Sequence, residues 1–288
     1  MKKILSTLFI ICTLGVNSII AQQPGDWQLI WSDEFDDSIV DINSWSRIPR
    51  WSPQWQRHMS DYDTLCTIRD GKLILWAMED PRTKDDTTAF ITGGLWSKDK
   101  VVFEEGRLEI CAKMDHATGF WPAIWMLPQI EPLKWPSTGE IDIMEHLNHD
   151  KKIHHTIHSH YTKNLKKRNR PKSHSLARFA HDEFNVYSLE RYHDKLIFYI
   201  NDVKTFEYKR INTRHEGQFP FTDNPFYLIL SAQLGGDWAG EISVNQLPVA
   251  MQIDYVRYFK AVKDEYNSQI YSSKKAFKKA QRKTKRAK

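Results

Sequence analysis

Cysteine is scarce in this chain, three residues in 288, and that excludes a disulfide-stapled scaffold. Cys12 stands in an apolar leader with no lipid-attachment box around it, and Cys66 and Cys111 fall in expected strands as two buried free thiols. Beyond the leader no apolar run approaches the ~20 residues that a spanning helix needs. No helical period is sustained, no segment repeats and no second domain is apparent. Acids are absent from Lys274 to Lys288, which holds nine Lys or Arg. That tail and two leader lysines more than account for the formal charge of +5, and residues 22–273 carry −6. The charge of the body therefore excludes nucleic acid as a partner.

What is present falls into three parts. Residues 1–21 join a basic start (Lys2, Lys3) to an apolar run from Ile4 to about Ile20 and a small residue, Ala21, the pattern of a cleavable signal peptide. Export to the periplasm, cell surface or medium is expected. Residues 22–262 form one domain with many short alternating segments separated by polar turns, which predicts an all-β sandwich. Residues 263–288 read as a basic, disordered tail. A monomer is expected.

The most informative stretch is Trp135 to His146, in which Glu140, Asp142 and Glu145 are interleaved with Ile141, Ile143 and Met144. On a helix, residues two apart do not share a face. On a strand Glu140 and Asp142 do, whereas Glu145 falls on the opposite side. One extra residue, a β-bulge, restores its parity, and bulges are over-represented beside active sites. The Glu140 and Glu145 Cα atoms then lie about 13 Å apart. Inward-leaning side chains bring the carboxyl groups to about 5–5.5 Å, the separation of a retaining glycosidase. Crowded acids raise at least one pKa, as a general acid requires.

Gly139-Glu-Ile-Asp-Ile-Met-Glu145 resembles the bulged signature of glycoside hydrolase family 16, on its laminarinase and agarase side. Further resemblance runs through Trp27–Phe35, Gly106–Lys113, Phe120–Pro128 and Ile253–Tyr258 and covers about residues 27–260. It implies a concanavalin A-like jelly roll with an open concave cleft for a polysaccharide or glycan. It also implies Glu140 as nucleophile, Glu145 as acid/base, Asp142 as the residue that assists the nucleophile, and no cofactor for catalysis.

Eleven tryptophans are many for this length, and sugar C–H faces stack on such rings. Trp121, Trp125 and Trp135 flank the acids, and Trp55 and Arg57 lie on a loop where laminarinases carry a different run. Gln233 departs from the family pattern in a late strand. These residues, with His158, are the candidate substrate contacts; Trp27, Trp31 and Trp76 are expected in the core. Alternation of His154, Thr156, His158 and His160 permits a zinc reading, but family resemblance favours His158 as a hydrogen-bond partner of sugar or Asp142. His146 and His160 take no role. Glu34, Gly71 and Asp254 resemble positions that hold a structural calcium in family members.

The sugar is less legible. Six basic residues between Lys163 and Lys172 form either a solvated loop or a contact for a sulfated or sialylated glycan. The departures from the laminarinase pattern favour an endo-acting enzyme on β-1,4-galactosidic links in mucin-type O-glycans or poly-N-acetyllactosamine. β-1,3-Glucan and algal galactan are the alternatives, and a catalytically inactive carbohydrate-binding protein is the alternative of another class.

Overall fold

A computed structural model describes residues 27–82 and 89–262; the expected signal peptide and basic tail lie outside these residues. The first strands are β1 (Trp27–Asp33), β2 (Ser46–Arg47), β3 (Cys66–Arg69), β4 (Lys72–Glu79), β5 (Phe90–Thr92) and β6 (Gly94–Trp96). The middle of the chain supplies β7 (Gly106–Met114), β8 (Phe120–Pro128), β9 (Glu140–Glu145), β10 (Lys152–His158) and β11 (His174–Arg178). The last are β12 (Asn185–Arg191), β13 (Lys195–Ile200), β14 (Val203–Lys209), β15 (Phe226–Leu234) and β16 (Val249–Ala261). Among the described residues helix is confined to short turns, and no helix is long and apolar enough to cross a membrane.

Two antiparallel sheets result, as the alternation predicted. One runs β11-β10-β9-β8-β15-β6-β2; the other runs β14-β13-β12-β7-β16-β4-β3, with β1 on β16 and β5 on β4. Inward-facing side chains fill the space between them. Leu73, Leu75 and Ala77 of β4 meet Ile124 and Met126 of β8, Ile141, Ile143 and Met144 of β9, and Leu228 and Leu230 of β15 in one core. β8 and β15 lie centrally in their sheet and are buried on both faces, because a second apolar cluster covers them on the side away from the core. There Ile48 and Met59, from the segment after β2, pack on Trp125, Leu127, Tyr227 and Ile229.

Parity corrects part of the aromatic reading. With Leu75 and Ala77 facing inward, Trp76 must face outward, and it is only half-buried, its indole N–H on Thr67 Oγ1. Trp27 is likewise half-buried and Trp31 packs at the core margin. The tryptophan sealed in the core is Trp45, 1% exposed, with its indole donating to Asp33 at 2.7 Å. Cys66 and Cys111 are free and buried, and burial pushes both thiols up to about 12.

The second sheet carries a buried ion cluster away from the core. Arg107 Nε donates to Glu109 at 2.6 Å, Nη1 to Glu190 at 3.1 Å, and Nη2 to Ser188 at 3.2 Å and Asp202 at 2.6 Å. Arg107 faces Glu190 directly across the β7–β12 ladder. Removing the cation leaves carboxylates without their counter-charge in a site almost closed to water, which costs about 3–5 kcal/mol. Arg107→Met is therefore expected to lower Tm by roughly 10 °C; an unchanged melting curve would show that the cluster contributes no net stability.

Candidate active site

The acids of β9 share one face. Asp142 pairs with Trp125 of β8 and Thr156 of β10, and Glu145 pairs with Ala123 and His154. Between those pairs two residues of β9, Ile143 and Met144, oppose the single residue His155 of β10. This is the expected bulge. Both of its side chains point into the core, so the next residue returns to the outer face beside Glu140 and Asp142.

A bulge leaves a backbone group without its ladder partner, and an orphaned buried carbonyl is costly. His155, wholly buried, answers it: its Nδ1 donates to Ile143 O at 2.6 Å. Its Nε2 then accepts from the Thr205 hydroxyl of β14, 2.9 Å away in the other sheet. Burial depresses this imidazole to about 4, so it is neutral and carries the single proton this arrangement needs. His155 lies on the face of β10 opposite the expected site residues His154 and His158 and carries no role in the sequence pattern. A histidine among apolar residues on the inward register was the available signal.

Each acid has distinct partners. Trp135 Nε1 donates to Glu140 Oε2 at 2.7 Å, and Trp121 Nε1 donates to Glu145 Oε1 at 3.1 Å. Thr156 also donates to Glu145. His158 Nε2 lies 3.5 Å from Glu140 and 3.4 Å from Asp142, whose Oδ2 is buried without a hydrogen bond. Burial, and then the Lys163 charge, depress His158 to about 4, so it is a neutral neighbour and no counter-ion. Burial raises Glu140 to about 7 despite the Trp135 hydrogen bond. Burial first, then Glu140, raises Glu145 to about 8. The same causes in that order, with Glu145 added, hold Asp142 well above the usual carboxylate range. Mutual repulsion was the expected cause; loss of water is the larger one.

A profile of "Glycosyl hydrolases family 16" matches residues 54–257. The chain belongs to this family. Among family 16 relatives it is 35% identical over 240 residues to a keratan-sulfate endo-1,4-β-galactosidase of Sphingobacterium multivorum, covering 82% of this chain and 56% of that protein. It thus spans little more than half of that relative. It is 30% identical to a β-glucanase of Rhodothermus marinus, covering 91% of this chain and 96% of that one. The laminarinase structure from Rhodothermus marinus superposes with a TM-score of 0.75 at 26% identity, over 84% and 100% of the two chains. A structure reported for endo-acting O-glycanases of human gut bacteria gives 0.71 at 28%, over 82% and 100%.

The expected substrate contacts divide. Trp121 is half-buried and meets Trp238 edge-on at 5.3 Å, and Trp135 is 48% exposed beside Glu140. Trp125 is not an open platform: it is 5% exposed, its N–H donates to Ser231, and it props half-buried Trp55 edge-on at 4.8 Å. Gln233 donates to the same Ser231 oxygen at 2.7 Å and is 2% exposed, so it faces the site from below. Arg57 is exposed on the same short turn as Trp55. Trp238, 42% exposed and edge-on to His154, was missed; the Gly235-Gly236 pair that carries the chain out of β15 was its signal. Gly236 has φ +101° and a side chain there would meet Gln54 Oε1 at 2.9 Å. That same oxygen accepts from Asp237 N and ties the Trp55 loop to the Trp238 loop.

The β10 histidines do not gather round one ion, and the calcium candidates Glu34 and Asp254, though neighbours, face cations instead. His154 Nδ1 lies 2.9 Å from His174 while His158 turns to the acids, so the β10 histidines do not converge on one ion. Both Glu34 oxygens take the Arg257 guanidinium at 2.9 and 2.7 Å, and Asp254 lies 3.7 Å from Lys72. With each carboxylate already answered by a cation, Glu34, Gly71 and Asp254 do not fit a calcium site as arranged.

His155→Phe keeps the volume of the ring and deletes the donor to the bulge. It is expected to cost about 1–3 kcal/mol of stability, the penalty of an unsatisfied buried carbonyl, and to lower kcat more than it raises KM. Wild-type values for both would show that the bulge holds without His155.

Proposed function

We propose that this protein is an endo-acting, retaining β-glycosidase. The observation that carries this reading is three carboxylates on one face of β9, Asp142 and Glu145 buried and Glu140 largely so, two of them held by tryptophan N–H groups and none, among the described residues, in an ion pair with Lys or Arg. Glu140 attacks the anomeric carbon as the glycosidic C–O bond breaks, and the Glu145 proton passes to the leaving oxygen. In the second half, water attacks the same carbon and the ester bond to Glu140 breaks. Glu145 accepts the water proton and is restored. Two inversions give net retention. Burial and the neighbouring acids favour the protonated form of Asp142, which limits the charge beside the nucleophile, and Trp135 holds one oxygen of Glu140 in place.

For the substrate we propose β-1,4-galactosidic links in mucin-type O-glycans or poly-N-acetyllactosamine. The identity to the keratan-sulfate relative supports this, as does the likeness to the O-glycanase structure. So does Lys163, whose ammonium lies 5.5 Å from the Trp135 ring at the Glu140 end of the site, where a sulfated or acidic sugar would meet it. β-1,3-Glucan is the second reading, favoured by the Rhodothermus β-glucanase, which this chain matches over nearly its whole length. A β-1,3-glucan-binding protein of Penaeus monodon is also 30% identical over 221 residues, but the complete acid trio here supports chemistry over binding alone. The 1–21 leader supports export to where such glycans occur.

Digestion of laminarin, lichenan, agarose, keratan sulfate and gut mucin, with products read by mass, is expected to release galactose-ended oligosaccharides from the last two. Laminarin oligosaccharides alone would replace that substrate reading with the glucan one. Glu145→Gln should lower the rate about 10²–10⁴-fold, and substantial turnover would refute the assignment. The pH profile follows from the sites. Activity needs Glu140 ionised and Glu145 protonated, so kcat/KM is expected to rise with pH to about 7 and to fall above about 8. An optimum near pH 5 would show that the pair titrates lower than its burial implies, and a rate independent of pH between about 4 and 9 would contradict the roles.

A further inference from the structure

Behind the acid strand, three histidines from separate segments converge. His116 follows β7, His146 follows Glu145 directly at the end of β9, and His181 lies between β11 and β12. One ring nitrogen of each lies within 4.8 Å of the other two. The His116 and His181 rings stack at 3.6 Å, and His146 meets His116 edge-on at 4.9 Å. Phe179 closes one side, 5.4 Å from the His146 ring and 5.5 Å from that of His181.

The hydrogen bonds leave lone pairs in this cluster. His146 is wholly buried, and its Nε2 lies 2.7 Å from Asp150 O. A carbonyl only accepts, so Nε2 carries the proton and Nδ1, buried without a partner, presents a lone pair. His181 Nδ1 lies 2.9 Å from Asp182 Oδ2, so it donates to that carboxylate and leaves Nε2, also buried and unpartnered, as its lone pair. His116 places Nε2 3.3 Å from Asp182 Oδ1, and neither of its nitrogens makes a hydrogen bond. Burial holds His116 below the usual imidazole range and His146 at about 4. A ligating histidine typically donates its second N–H to a carbonyl or carboxylate; Asp150 O serves His146 in this way, and Asp182 serves His181.

We propose that His116, His146 and His181 form a zinc site, with a fourth position open to water, that clips the β7–β8 and β11–β12 connections to the end of β9. Imidazole nitrogens suit zinc and exclude calcium or magnesium, which take oxygen. A tetrahedral ion with Zn–N bonds of about 2.0–2.1 Å wants ligand nitrogens roughly 3.3 Å apart. The nitrogens, within 4.8 Å of one another, therefore need to close by at most about 1.5 Å, and His116 and His181 lie on connections between strands and outside the sheet ladders. Without an ion, His146 Nδ1 and His181 Nε2 are buried with no hydrogen-bond donor, which is an unfavourable arrangement.

The test is titration of the untagged full-length protein with zinc chloride alone, by calorimetry and by metal analysis after dialysis. One equivalent is expected, with Tm raised by about 5–10 °C at zinc a hundredfold above Kd. Cobalt in place of zinc should give the intense visible bands of a tetrahedral site. His116→Ala with His181→Ala should abolish the tight equivalent, and Asp182→Asn should weaken it about 10–100-fold. Absence of binding at micromolar zinc overturns the proposal. So does full binding by the double variant, which would place the ion elsewhere, for example among Glu140, Asp142 and His158, where it would inhibit hydrolysis. If the double variant does not fold, Asp182→Asn decides, since that carboxylate is exposed on a turn; unchanged affinity there also overturns the proposal.

Discussion

A strand alternates its side chains with period two, and that period places Glu140 and Glu145 on opposite faces unless one residue is inserted. The pair Ile143–Met144 against His155 is that insertion, and the rest of the site depends on it. Both bulge side chains are apolar and go into the core, where packing fixes the register. A one-residue slip would bury an acid and expose an isoleucine. The carbonyl freed by the bulge is answered by His155, and His155 is answered by Thr205 from the opposite sheet. The spacing of the acids is thus tied through two hydrogen bonds to the second layer of the sandwich.

Loss of water does most of the electrostatic work. The tryptophan N–H donors on Glu140 and Glu145 favour the charged forms, and Lys163 pulls in the same direction on Glu140 and Asp142, yet burial outweighs them. Neutral His158 stands nearest. Burial thus favours the protonated forms, which is what the proposed roles of one carboxyl group as proton donor beside an attacking neighbour require. Indole rings suit this place because they supply one directional N–H and an apolar body that excludes water.

The same logic separates the tryptophans. Trp121 and Trp125 are four residues apart on one face of β8, but Trp125 is roofed by Trp55, Met59 and Ile48 while Trp121 stays partly open against Trp238. Nothing local distinguishes them. The difference lies in a loop some seventy residues earlier in the chain, packed over one end of the sheet and fastened to the Gly236 turn through Gln54.

The acid trio, the need for a bulge and the two-layer β architecture were legible in the residues themselves, because parity, alternation and turn chemistry are local. The free thiols were legible too, since both fall on strands of a chain too poor in cysteine for a staple. Outward Trp76, buried Trp125 and the cations that meet Glu34 and Asp254 were not, because each depends on which segment crosses above a given face. The gathering of His116, His146 and His181 was equally hidden, with the three residues spread over 65 positions of sequence and brought together only by the turns that end β7, β9 and β11. Sequence alone determined which side chains are candidates for the chemistry and which face they share. Tertiary structure decided their protonation, their hydrogen-bond partners and their access to solvent, since those follow from neighbours contributed by distant parts of the chain.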